Sequence, residues 1–361
     1  MASLLPREKE YVDALLSLTL NPSQAQDACQ LVASLSAKER DDFLALADSH
    51  HVVIRGLEPV RSCALMGNNT ELHGWATSVI EKERGRIENA LTRLHAVVTE
   101  LEAAGCSTVV MKSLEHWPDL GSDLDLYTIA NERKVIRVMV GRMNAHLESR
   151  SWGDRLAHKW NFKVPALPES VEVHAQRLGQ TGEHTLLAER FVSRRQPRTV
   201  MGLTFYAPAP EEALIVATLQ RMYRHFYFRV CDIVNTAQDV EAKRIDYVEL
   251  QKASEAAGIW PGVASYLKIV SDKVMEHRGV PLDLPREVLD AARVNGNELN
   301  VRALFMRVPI MPHGAKLYTR QLTRTAALGN LEGAFRLTLL PPLATAAAVA
   351  FKLTGSDKGV W

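Results

Sequence analysis

Cysteine is scarce in this chain: four among 361 residues, at positions 29, 63, 106 and 231, with no Cys-x-x-Cys pair. Such spacing excludes a disulfide framework and a thiolate zinc site, and it points to a reducing, cytoplasmic setting. Net charge is missing too. Lys plus Arg number 43 and Asp plus Glu 42, a formal +1. That near-balance argues against a binding track for a long polynucleotide. No internal repeat or low-complexity linker interrupts the chain, and the N-terminus Met1-Ala2-Ser3-Leu4-Leu5-Pro6-Arg7 turns charged at once, unlike a secretory signal. The stretch Leu337–Phe351 carries no charge, but it is short and broken by Pro341-Pro342. A spanning helix needs about 20 apolar residues. With 47% apolar residues over this length, the chain can still build two or three cored domains.

What is present is concentrated in Gly121-Ser122-Asp123-Leu124-Asp125-Leu126. Side chains alternate along a strand with a rise of about 3.3 Å per residue, so Asp123 and Asp125 share a face about 6.6 Å apart while the leucines face a core. Paired carboxylates repel unless a cation sits between them. Magnesium, a hard ion with a preference for oxygen, is the usual one. Upstream, Thr108-Val109-Val110-Met111 reads as a buried strand entered after Gly105 and running into Lys112-Ser113. Downstream, Val171-Glu172-Val173-His174 repeats the alternation and sets Glu172 and His174 on one face. Glu169 is close enough to compete with Glu172 for the role of third acid.

A strand, a Ser-bearing turn, an Asp-x-Asp strand nine residues later and a further acid-bearing strand resemble the pattern of the polymerase-β-like nucleotidyltransferase superfamily. More narrowly, the chain resembles a bacterial family of uncharacterised nucleotidyltransferases with a Lys-Gly turn, a Ser-Asp-x-Asp strand and an acid-x-His strand. Ala47–Ile54, with its helix ending at a histidine, resembles an upstream element of that family. Pro210-Glu211-Glu212-Ala213-Leu214, His225 and Arg229-x-x-Asp232-Ile233 resemble the helical segment that follows the sheet. The likeness spans roughly residues 40–240. It departs where Ser113 replaces a family glycine, where Lys112 stands at a glycine of the wider superfamily, and where the third acid is Glu.

The resemblance implies an α+β fold: a catalytic core with a mixed sheet over 105–207, flanked by helical regions at 1–104 and 208–361. It implies magnesium-dependent transfer of a nucleoside monophosphate from a triphosphate, ATP by expectation, to an unidentified acceptor. Two Mg2+ ions about 3.5–4 Å apart would clamp the attacking and leaving oxygens. Asp123, Asp125 and Glu172 would hold them. Lys112, Ser113 and Ser122 would face the phosphates, aided by the N-terminus of a helix after Ser113. His174 reads as positioning Glu172 or capping the sheet. Arg221, His225 and Arg229 fall at i, i+4 and i+8, hence on one helical face that either grips triphosphate or makes helix salt bridges such as Arg229 with Asp232.

Periodicity predicts helices through 8–104, one starting at Gln24, one at Ala37 and a long one over Thr77–Ala104. It further predicts a helix at Asn131–Leu147, strands at Trp160–Val164, Val171–His174 and Thr204–Tyr206, and helices near 210–226, 228–242, 247–257 and 262–277. Between Arg302 and Arg336 lie six Lys/Arg and one acid, Glu332. Beside the apolar tail this basic stretch, 302–353 in all, could rest weakly on an anionic membrane surface, although a buried helix is the commoner outcome. Two rivals to the enzyme reading are therefore a catalytically silent, antitoxin-like binding module on the same fold and a membrane-edge accessory protein.

Overall fold

The computed structural model describes residues 7–343 together with 345, 346 and 349. Among the described residues five α-helices precede the first strand: α1 (Glu8–Leu20), α2 (Gln26–Ser34), α3 (Ala37–Ser49), α4 (Val53–Met66) and α5 (Thr70–Ala103). Pro22 starts only a 3-10 turn, so α2 begins two residues later than its sequence predicts. Ser36 and Glu39 form a reciprocal capping box that starts α3 where expected. The stripe Ile87, Ala90, Leu91, Leu94, Val97, Val98 and Leu101 on α5 is buried against the sheet.

That sheet is built from β1 (Thr108–Met111), β2 (Asp123–Thr128), β3 (His146–Leu147), β4 (Lys159–Lys163) and β5 (Ser170–Ala175), with α6 (Glu132–Gly141) and α7 (Trp152–Leu156) between strands. Its order is β1-β2-β5-β4-β3. The β2–β5 pair is parallel and the other pairs are antiparallel, which makes the sheet mixed and the protein α+β. Leu124, Leu126, Phe162, Val171 and Val173 bury one face against α5 and α6. The other face carries the polar residues.

Two expectations fail here. The predicted helix Asn131–Leu147 stops at Gly141, and the chain turns through Asn144 (φ 51) into the edge strand β3. The apolar content of that stretch serves two short elements instead of one long one. Thr204–Tyr206 is a strand but not part of this sheet. After α8 (Thr185–Ser193), β6 (Gln196–Val200) and β7 (Leu203–Ala207) form a separate two-stranded ribbon. Met201 and Gly202 turn it, both at positive φ (52 and 76), as a two-residue hairpin requires.

The chain then becomes helical again: α9 (Pro210–Thr218), a π-turn at Leu219–Arg224, β8 (Tyr227–Phe228), α10 (Val230–Glu241), α11 (Tyr247–Ala256), α12 (Trp260–Arg278) and α13 (Arg286–Ala291). Strands β9 (Asn300–Arg302) and β10 (Phe305–Arg307) join β8 in a small sheet before α14 (Ala315–Ala327) and α15 (Leu331–Thr338). Leu15, Leu16 and Leu18 of α1 share one apolar core with Ile233 and Val234 of α10 and Val263, Leu267 and Val270 of α12. The helices on either side of the sheet in sequence thus pack on each other, and they close over its polar face. Among the described residues no helix is long and apolar enough to cross a membrane. The expectation for a tail reaching Phe351 lies partly outside the described residues.

The strand assignment has a sharp consequence. Leu124 is fully buried and its neighbour Asp123 is exposed. Leu124→Ala is expected to lose about 2–5 kcal/mol in urea unfolding, and Asp123→Ala less than about 1 kcal/mol. Equal losses would mean that the two faces of β2 are misassigned.

Candidate active-site cleft

Register decides which acids meet. In the parallel β2–β5 pair Asp125 lies beside Glu172, Tyr127 beside His174 and Asp123 beside Ser170. Neighbours in register share a face, so the carboxylates of two strands distant in sequence form one row. One ligand atom each from Asp125, Glu172 and His174 lies within 4.8 Å of the others. Asp123 is outside that set, at the mouth of the cleft, where the Ser122 hydroxyl donates to its Oδ2 at 3.4 Å. The structure also separates the two candidates for third acid. Glu169 accepts from Arg86 at 2.6 Å, away from the pair, whereas Glu172 stands beside Asp125.

Two lysines already neutralise this row. Lys112 Nζ lies 2.5 Å from Asp125 Oδ1, and Lys159 Nζ reaches both oxygens of Glu172 at 2.9 Å. Burial alone would raise the Asp125 carboxyl; the Lys112 ammonium, then His174, hold it below the usual carboxylate range. Asp123 lacks such a partner. Partial desolvation, then the Glu172 and Asp125 charges, raise its carboxyl. His174 is buried, which lowers its imidazole despite the Asp125 carboxylate 3.6 Å away. Neither of its ring nitrogens is hydrogen-bonded, so it does not position Glu172 through a bond as expected.

Lys112 holds its place by an unusual backbone. It adopts φ 57 and ψ −52, a region that a side chain enters at a cost of about 1–3 kcal/mol. This is the turn where the resemblance calls for glycine. The Lys112 amide donates to Glu115 Oε1 at 3.1 Å, closing a 3-10 turn over Ser113–His116. That turn is too short to supply the helix N-terminus expected after Ser113. The Ser113 hydroxyl is likewise occupied: it accepts from the Asp125 amide at 3.0 Å and donates to the Asp123 carbonyl at 3.4 Å. Ser113 therefore locks the acid strand more than it offers itself to a ligand.

The opposite wall comes from the helical region. Arg221, Arg224, His225, Tyr227 and Arg229 line a cleft of about 260 Å3 with the acids, Lys112, Lys159 and His51. They are not one helical face. Phe226 has φ 54, and the chain passes from π-turn to β8 to α10 between residues 219 and 230. The expected pairing also changes: Asp232 takes the Arg221 guanidinium at 2.7 Å and only the backbone amide of Arg229. Arg229 reaches instead to His51 Nε2 at 2.5 Å. Burial first and adjacent arginines second keep His51, His116 and His225 well below the usual imidazole value, hence uncharged at neutral pH. Arg224 has no carboxylate within salt-bridge distance among the described residues and stands as the cation most open to an anionic ligand.

Lys159, Glu115 and Gln220 are cleft residues that motif reading missed. Lys159 had a signal: Lys159-Trp160-Asn161-Phe162-Lys163 alternates polar with apolar, and in register Lys159 faces His174. Glu115 and Gln220 had none, since a turn and a π-turn bring them in. No family model, no curated protein and no solved structure matches this chain.

Glu115 gives the cleft a pH signature. Burial pushes its carboxyl up to about 7 from 4.5. Between those values the folded state binds more protons than the unfolded chain, so stability falls as pH rises, with the full loss above 7. Glu115→Gln is expected to remove this slope and to gain on the order of 2 kcal/mol over wild type at pH 8, with little difference near pH 4.5, in urea midpoints across pH. Parallel curves would show that Glu115 titrates normally.

Proposed function

We propose that the protein is a nucleotidyltransferase of the polymerase-β-like type, moving a nucleoside monophosphate from a triphosphate to an acceptor hydroxyl in the presence of a divalent cation. One observation carries the reading: Asp125 on β2 stands beside Glu172 on the parallel β5, with Asp123 at the mouth of the same cleft, across from Arg221, Arg224 and Arg229. Acids on one wall and guanidinium groups on the other suit a cation bound to a polyphosphate.

The donor chemistry fits a divalent cation. Asp125, Glu172 and His174 converge, and neither ring nitrogen of His174 has a hydrogen-bond partner. Oxygens of Asp123, Asp125 and Glu172 suit magnesium, and the imidazole of His174 would admit manganese as well. When bound, the ion supplies positive charge at the α-phosphate and at the acceptor oxygen. The rest falls to the chain. Lys112, Arg224 and Arg229 bind the β- and γ-phosphates. The acceptor oxygen forms a bond to the α-phosphorus; the bond to pyrophosphate breaks, and pyrophosphate leaves with the electron pair. The acceptor proton goes to a carboxylate of the cleft. Most of the rate comes from placement and charge neutralisation.

One observation favours a second reading. Lys112 and Lys159 already pair with Asp125 and Glu172, so the row is stable without an ion, as a catalytically silent binding module would require. Calorimetric titration of the four nucleoside triphosphates, with and without magnesium or manganese, separates the two. Cation-dependent binding that disappears in Asp123→Asn/Asp125→Asn is expected, with turnover falling at least about a hundredfold. Glu172→Gln is expected to slow turnover more than it weakens triphosphate binding. Wild-type protein that binds no triphosphate under any condition would leave the silent module as the reading.

A further inference from the structure

We infer that the acceptor is a neutral molecule with an apolar body, seated in a second chamber that opens onto the acids. This assignment rests on the nucleotidyltransferase reading. The chamber, of about 60 Å3, shares Lys112, His174, Gln220 and Arg224 with the cleft. Its other walls are of a different kind. Met111, Leu178, Val216, Leu219 and Leu340 supply an apolar lining. The volume has room for roughly four heavy atoms.

Its polar groups argue for a neutral guest. The Gln180 side chain is buried, lines the chamber, and leaves its Nε2 without a hydrogen-bond partner. A buried amide donor left without a partner is unfavourable, and a ligand oxygen would accept from it. Among the described residues the one carboxylate in the wall is Glu183, which accepts from the Thr181 amide at 2.9 Å and lies 3.5 Å from His184 Nε2. No unpaired cation among the described residues faces the chamber beyond its junction with the cleft, so a second polyanion meets no counter-charge from them. His174 stands in both walls with neither nitrogen hydrogen-bonded. An acceptor whose apolar end fills the chamber would hold its hydroxyl beside His174 and face the carboxylate row. The chamber is also preformed. Arg336 Nη1 donates to the Thr181 carbonyl at 2.5 Å, and the Thr181 hydroxyl donates to the Arg336 carbonyl at 3.1 Å, which ties the 178–184 loop to α15.

Straight-chain alcohols from ethanol to hexanol are the probe. Saturation-transfer NMR on the full chain is expected to show binding that strengthens up to about fourfold per methylene, then stops at a length limit. Val216→Phe, which fills the chamber, should abolish the signal. Leu219→Ala, which enlarges it, should move the limit to a longer alcohol. With cation and triphosphate present, mass spectrometry should find the alkyl ester of the nucleoside monophosphate with the same length dependence. Cation-dependent triphosphate binding is the control for folding and for the cleft. Alcohol signals that are absent, or unchanged in both variants while triphosphate binding persists, would overturn the acceptor assignment alone. Loss of triphosphate binding in wild type would instead overturn the activity on which it rests.

Discussion

The cleft depends on buried charge that must be answered from within the fold. Asp125 and Glu172 sit side by side in a parallel register, and taking such a pair out of water costs several kcal/mol per ion unless partners are supplied. Lys112 and Lys159 supply them. Both lysines come from strands or turns flanking the acids, so the neutralisation is part of the sheet. The strained backbone of Lys112 follows from the same need. Glycine would relax the turn but would remove the ammonium that holds Asp125 ionised.

The second wall extends this logic to the helices. Arg221 is spent on Asp232 and Arg229 leans on His51, while burial keeps the surrounding imidazoles uncharged. Positive charge is thus tethered at defined places, and Arg224 is left over. An apolar chamber behind His174 and a charged cleft in front of it divide the space into two chemistries that meet at one buried ring.

Much of the core was legible because strand periodicity is a local property. Thr108–Met111, the Asp-x-Asp strand, Trp160–Val164 and Val171–His174 are all recognisable as strands, and alternation also gives the core-facing side of the Asp-x-Asp and Val171–His174 strands. The long stripe on α5 was equally plain. What escaped was non-local or backbone-driven. Nothing local says that β5 pairs parallel to β2, yet that pairing puts Glu172 rather than Glu169 at the site. The segment 219–230 reads as helix by its apolar spacing, but a π-turn and the left-handed Phe226 fold it into a wall. Asn131–Leu147 fails for a related reason: Gly141 and Asn144 end the helix early enough to leave an edge strand.

The parallel pairing of β2 with β5 also has a kinetic side. Residues 129–169 must fold back before Asp125 has a neighbour, and the facing wall comes from residues 221–232, with His51 contributed from the N-terminal helices. A site assembled from such distant segments carries the loop-closure cost of non-local topology. During synthesis the carboxylates emerge long before their arginines, so an incomplete chain has the acids without the pocket. Ligand binding is then a property of the finished molecule only, and whatever occupies the cleft stabilises the folded protein against every partly folded form at once.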